Sequence, residues 1–243
     1  YDAPIHAAYS HGYYKSMISL MRGVFGHALK TNPYLKRAVI TGILRIAKES
    51  LFSGVNNLSV YSLLRSEYAE YFGFTETEVS DVFARAELPY SLEDVRSWYN
   101  GYQIGDVTLY NPWSIVNCIN RQGTLDLYWV NTSGNELIRD LLAASGSIFK
   151  HDLQQLLSGH VIRVVLDEHI FFVDLKASPG SVWSLLFMAG YLKLVARIDA
   201  GHGDVSYELM IPNQEIYILY RQLVRAWLGH GEPMIQLELL QYL

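Results

Sequence analysis

From Gly12 to Lys30, apolar side chains recur at helical spacing, at Tyr13, Met17, Leu20, Met21, Val24, Phe25 and Ala28. That period marks one stripe of an amphipathic helix, and Asn32-Pro33 ends it. Ala38-Val39-Ile40-Thr41 is a short β-rich run bounded by basic residues and Gly42. It predicts a buried strand of a parallel sheet. Helix and strand together make half of a βαβ repeat, and the other half is expected before Tyr1. Leu44 to Asn57 is polar, contains glycine and reads as a long loop.

The next third of the chain predicts helices. One is expected from about Ser59 to Phe72. Thr75-x-x-Glu78 forms a capping box for another, to about Ala86. Ser91-x-x-Asp94 opens a third, running into Trp98-Tyr99, and Asn100-Gly101-Tyr102 is a turn signal. Asn111-Pro112 places a capping residue before a proline at the first helical position. That helix should end before Gly123.

Beyond Thr132 the texture changes. Ser133-x-x-Glu136 opens a helix to about Ala144, and another covers Phe149 to Leu157. Val161 to Leu166 and His169 to Val173 are strand candidates, and Trp183 to Met188 is an apolar helix. Tyr191 to Ile198 and Val205 to Ile211 alternate around Asp199-Ala200-Gly201-His202-Gly203-Asp204, the pattern of a hairpin. Pro212-Asn213 starts a helix to about Leu228, and Pro233 opens a last one. A helix followed by a hairpin is the ending of a winged-helix unit.

Composition narrows the functional classes. Half of the 243 residues are hydrophobic and 18% are charged, so disorder is not indicated. The net charge of −5 argues against a generally basic nucleic-acid surface, leaving only a local patch open. One cysteine, Cys118, excludes an internal disulfide and a cysteine zinc site, and fits a reducing, cytoplasmic compartment. No apolar run reaches the ~18 residues of a spanning helix, so no membrane partner is expected. The first residues contain no signal-peptide pattern and no initiator methionine, so the chain is expected to start inside a longer one.

Several strings are more specific. Tyr1-Asp2-x-Pro4-Ile5 opens the chain, and Lys36-Arg37-Ala38-Val39-Ile40-Thr41-Gly42-Ile43-Leu44-Arg45-Ile46-Ala47-Lys48-Glu49-Ser50 follows. Then come Phe52-Ser53-Gly54-Val55-Asn56-Asn57-Leu58 and Tyr71-Phe72-Gly73-Phe74-Thr75. Trp98-Tyr99-Asn100-Gly101-Tyr102, Tyr110-Asn111-Pro112-Trp113-Ser114 and Tyr128-Trp129-Val130-Asn131-Thr132-Ser133 complete the set. Together they resemble the bacterial AAA-ATPase-like family over nearly the whole chain. Members of that family usually carry a P-loop domain followed by a PD-(D/E)XK nuclease-like domain.

The resemblance implies an α/β, mostly helical fold: the second half of a P-loop NTPase core over residues 1–58, a helical lid over 59–130 and a winged-helix-like region over 131–243. Tyr1-Asp2 would be the tail of the Walker B motif, and the strand ending at Thr41 the sensor-1 strand. The acidic pair and the Walker A loop would then lie upstream, and the nuclease-like domain downstream. ATP and Mg²⁺ are the cofactors implied for the intact protein, with none expected for this chain alone.

The candidate site residues follow. Asp2 would help position magnesium, against the plainer role of a capping carboxylate. Thr41 and Arg45 would lie near a γ-phosphate. A guanidinium suits developing charge there, although Arg45 is also spaced to pair with Glu49. Lys48 follows a strand end, where ligand-facing residues sit in open α/β sheets, with a solvated loop as the plain alternative. The aromatics of Trp98-Tyr99-x-x-Tyr102 and Tyr110-x-x-Trp113 read as core packing before they read as a base-stacking platform. Asp174-Leu175-Lys176, with Asp167, imitates half of a nuclease site, but the tripeptide is common and the family places that domain later.

Three readings result. The first is a nucleotide-dependent module that, in the intact protein, binds ATP–Mg²⁺ and couples nucleotide state to a neighbouring domain. The second is a non-catalytic module contacting protein or nucleic acid. The third is an inactive remnant whose open sheet edge leads to self-association.

Overall fold

The structure, a computed structural model, describes residues 2–30, 32–43, 58–88, 90–130, 147–168 and 179–228. These residues form a mixed α/β architecture in which both sheets are small and antiparallel. The chain divides into two compact units. One comprises Tyr1–Val60 and Leu166–Ala189, the other Tyr61–Val165 and Gly190–Leu243.

The first unit holds α1 (Ala3–Ser10) and α2 (Tyr14–Leu29). Pro4 lies in the first turn of α1, where its missing N–H costs nothing. Gly12, at φ +80°, reverses the chain between the two helices, and the Tyr13 N–H donates back to the Ala8 carbonyl (2.9 Å). Ile5 and Ala8 of α1 and Ile18 and Leu29 of α2 are buried, whereas Leu20 and Val24 stay exposed. Asn32 closes α2 as expected: its amide donates to Ala28 O (3.2 Å) and its Oδ1 accepts from Tyr34 N (3.0 Å).

The strand expected at Ala38–Thr41 does not form, and Val39 is 96% exposed. A strand needs a neighbour to take its N–H and C=O groups, and no strand is among this unit's described residues. The loop expected over Leu44–Asn57 lies outside the described residues, as do the helix at Ser133–Ala144, the strand at His169–Val173 and the helix at Pro233.

The second unit begins without the helix expected at Ser59–Phe72. Only a 3-10 turn, Ala69–Tyr71, is present. The reason is that side chains here are engaged elsewhere, one locally and one by a distant partner. Ser62 Oγ accepts from Leu64 N (3.4 Å), and Ser66 Oγ donates to Asp106 Oδ2 (3.1 Å) while accepting from Asp106 N (3.3 Å). Tyr68 sits at φ +63°, which no right-handed helix allows.

Three helices then appear where their caps place them. In α3 (Glu76–Arg85), Thr75 Oγ1 accepts from Glu78 N and Glu78 Oε2 accepts from Thr75 N (2.8 Å), a complete capping box. Ser91 caps α4 (Leu92–Tyr99) through Asp94 N, and Asn111 caps α5 (Pro112–Asn120) through Trp113 N and Ser114 N. Between α4 and α5 lies an unanticipated hairpin, β1 (Tyr102–Ile104) and β2 (Val107–Leu109), which turns at Gly105-Asp106.

The remainder of this unit contributes α6 (Ser147–Leu157), β3 (Ile162–Val164), β4 (Lys193–Asp199), β5 (Val205–Met210) and α8 (Gln214–Leu228). Between β3 and β4 the chain passes through α7 (Pro179–Met188), which belongs to the first unit. The sheet order is β3-β5-β4, with a bulge between Leu194 and Ala196. Ile216, Leu219, Tyr220, Leu223 and Val224 form the buried stripe of α8, at ideal amphipathic spacing.

Val79 and Phe83 of α3, Val95 and Tyr99 of α4, Tyr110, Ile115 and Cys118 of α5, and Tyr128 pack into one cluster. Burial pushes the Cys118 thiol up to about 11, so it behaves as a small apolar side chain. Phe83 is fully buried there. Phe83→Ala should therefore destabilise the protein by about 3–5 kcal/mol, read as a lower urea midpoint with an unchanged dependence on denaturant.

Candidate functional site

Two of the four expected site residues lie in described segments, and one of them is tied to the other's neighbourhood. Asp2 immediately precedes α1 but makes no side-chain cap to it. Instead its Oδ2 accepts the Ile43 N–H (2.5 Å), a contact across 41 positions of sequence. The carboxylate thus sits beside the backbone two residues after Thr41, and Thr41 itself is exposed. The plain capping role for Asp2 is therefore replaced by a tertiary one. Arg45 and Lys48 lie outside the described residues, as do Asp174 and Lys176. Among the described residues, no three His, Cys, Asp or Glu side chains gather in a group that could hold a metal ion.

The most organised polar arrangement is elsewhere, in the second unit. Glu215, in the first turn of α8, is fully buried. Its Oε1 accepts from Tyr128 N and Trp129 N (2.6 Å each), and its Oε2 accepts from Ser114 Oγ (2.8 Å). The Val130 N–H adds a further favourable interaction. Asn213, the residue before α8, accepts from Ile216 N (3.1 Å) through Oδ1 and donates through Nδ2 to Asn100 O (2.8 Å). Gly101, at φ +98°, passes so close to this point that a Cβ there would lie 2.3 Å from Pro212 O. Only glycine fits.

Three of the sequence strings thus converge on the start of α8: Trp98 to Tyr102, Tyr110 to Ser114, and Tyr128 to Val130. Their aromatics serve the core, as the plainer reading expects. The Tyr99 hydroxyl donates to Asp126 O (2.9 Å) and accepts from Asp126 N (2.8 Å), and Trp129 meets Tyr102 edge to face and Tyr191 at a tilt. The Tyr102 hydroxyl is buried with no partner in hydrogen-bond geometry. Trp113 is the exception, about half exposed.

Glu215 is not arranged for acid–base catalysis. Both oxygens already accept hydrogen bonds, and no solvent reaches it, so a substrate proton has no approach. What it does chemically is fasten α5, the 128–130 segment and α8 together. Sequence reasoning passed over it because an acidic residue in a helix's first turn is ordinary complement to the helix dipole. Its burial is a tertiary property, and no local pattern announces it.

Burial outweighs the donors and holds the Glu215 carboxyl above its ordinary 4.5. A raised folded-state value means that the stability tied to this proton is complete below 4.5 and is lost as pH rises through the folded value. Glu215→Gln keeps the shape and removes the proton, and the Ser114 hydroxyl can turn to accept from the new amide. Its urea midpoint should therefore vary less than the parent's between pH about 4 and about 7. Glu215→Ala leaves buried donors unpaired and should cost about 1–3 kcal/mol, most at low pH, where the parent retains the stability tied to this proton.

Residues 1–52 match the AAA-ATPase-like family, described as a predicted AAA-ATPase. A protein of Azotobacter chroococcum mcd 1, called an uncharacterized protein in the vnfD 5′ region, is 30% identical over 199 residues. That alignment covers 81% of this chain and 36% of the relative, so the chain spans about a third of the relative's length. No solved structure matches. The segment that carries Asp2, Thr41, Arg45 and Lys48 is the segment that matches the AAA-ATPase-like family.

Proposed function

We propose that this chain is the part of a P-loop ATPase-like protein that follows the Walker B strand, and that the intact protein binds ATP–Mg²⁺. The observation that carries this reading is the Asp2–Ile43 contact, which lies within the family-matched segment. In a P-loop core, the strand ends bearing the magnesium-orienting acid and the phosphate sensor lie side by side on the nucleotide. A carboxylate from residue 2 held against the backbone just past Thr41 suits that arrangement. In this reading Asp2 orients ligands of magnesium, Thr41 contacts the γ-phosphate, and Arg45 neutralises charge developing on it. Lys48 is assigned to the nucleotide in the same reading. Residues 1–58 complete the core, 59–130 form the lid, and 131–243 form a winged-helix-like region that passes nucleotide state to a neighbour.

The winged-helix part of the proposal is supported by the second unit's own elements. There α6, β3, β4 and β5 succeed one another, and the sheet runs β3-β5-β4. Its use is more consistent with protein coupling than with DNA reading. Helix α7 is buried from Val182 to Phe187, so it offers no exposed face to a groove. The β4–β5 loop carries Asp199 and Asp204, and no lysine or arginine.

Calorimetry on a version extended upstream through the P-loop should show ATP–Mg²⁺ binding, with no binding by the 243-residue chain. Absence of binding in both overturns the reading. In the extended protein, Arg45→Ala should lower ATP turnover by about 10³-fold or more while leaving nucleotide affinity near the parent value. Tyr34, Val39 and Leu20 present exposed apolar area in the first unit. Sedimentation of the chain alone should accordingly reveal concentration-dependent self-association, which Val39→Asp reduces.

A further inference from the structure

A second surface, unrelated to nucleotide, stands out where the expected helix failed to form. Tyr61, Tyr68, Tyr71 and Phe72 are all exposed, Tyr71 at 85%. The rings are not scattered. Tyr61 and Tyr68 meet edge to face at 4.8 Å, and Tyr68 and Tyr71 lie 6.5 Å apart. Single exposed aromatics are common, but a row of them is not.

The platform beneath the rings is fixed. Ala69 is buried against Ile104 and Leu109 of the β1–β2 hairpin. The Gly105 N–H donates to Leu63 O (3.0 Å), and Ser66 holds Asp106 by two hydrogen bonds. A Cβ at Gly105 would lie 2.3 Å from Ser66 Oγ, so the hairpin turn and this segment fit without slack. Tyr68 keeps its left-handed backbone here, a conformation bulky residues adopt rarely. The rings are thus held in place before anything binds, which lowers the ordering cost of binding.

Charge identifies the partner. Glu67 and Glu70 are exposed among the rings, and neither forms an ion pair among the described residues. Arg65 is the one cation in this stretch. Tyrosine faces carry negative π-density, and a guanidinium both stacks on them and pairs with carboxylates. The ring spacings suit about three residues of extended chain. We propose that the Tyr61–Phe72 face binds an arginine-bearing, extended peptide segment of a partner protein, with guanidinium groups over Tyr68 and Tyr71 and counter-charge from Glu67 and Glu70. This surface is independent of the ATPase reading and stands or falls without it.

The test uses the full chain with a fluorescent (Arg-Pro)4 peptide and its (Lys-Pro)4 counterpart, followed by anisotropy. Both peptides are extended and carry equal charge, but only the first has planar guanidinium groups. Tighter binding of the arginine peptide is expected. Tyr71→Ala should weaken it by about fivefold, Tyr71→Phe should restore most of the loss, and Glu67→Gln with Glu70→Gln should weaken it and flatten its salt dependence. Tyr71 is exposed, so its variants should fold, and circular dichroism verifies that. Equal binding of both peptides with no effect of Tyr71→Ala would mean that net charge alone attracts them, and overturns the proposal. So does no binding at all. Self-association lost in Tyr71→Ala would assign the face to a second copy, and binding of oligo-dT lost in the same variant would assign it to single-stranded nucleic acid; either result also overturns it.

Discussion

A carboxylate sealed from water organises the second unit. Glu215 is costly to bury as a lone ion, and it is tolerated because backbone N–H groups from 128–130 and the Ser114 hydroxyl converge on its two oxygens. The obligation runs both ways. Those N–H groups lie in a stretch without regular secondary structure, so Glu215 supplies the partner that a sheet or helix would otherwise provide. Tyr99 does the same for residue 126, with one hydroxyl serving both the N–H and the carbonyl. An irregular segment thereby has backbone partners of the kind a strand would find in a sheet.

This dependence explains which parts of the fold could be read from sequence. Helices set by their own ends were legible: Thr75 with Glu78, Ser91, and Asn111 before Pro112 each mark a start that the structure retains. Helix α8 was legible from its Pro212-Asn213 start. The β4–β5 hairpin was legible from alternation around a glycine-rich turn. These signals act within a few residues and need no distant partner.

The misses have the opposite character. Ala38–Thr41 has strand-like composition, yet composition does not supply a neighbouring strand. Ser59–Phe72 has acceptable helical residues, yet Ser66 is engaged by Asp106, forty positions away. The β1–β2 hairpin carried a signal, Gly105-Asp106 between Tyr102-x-Ile104 and Val107-x-Leu109, which was hidden by the stronger turn at Asn100-Gly101. Of the candidate site, Asp2 and Thr41 were named through family resemblance alone. Their proximity emerges only from the Asp2–Ile43 contact, while Arg45 and Lys48 lie outside the described residues. Asn213 was legible as a helix-start residue, Glu215 was passed over, and neither was legible as a tertiary fastener.

The two fasteners at the start of α8 have a mechanical consequence. Asn213 grips the residue after α4 through Asn100, and two positions later Glu215 grips α5 and the 128–130 segment. They hold different pieces of chain from adjacent points on one helix. A single anchor would let a helix swivel about its own axis; two anchors to different pieces remove that freedom. Helix α8 is therefore keyed like a shaft in a slot. A torque applied at its far end near Leu228 reaches Asn100 and Ser114 together, without being absorbed by slippage at the joint.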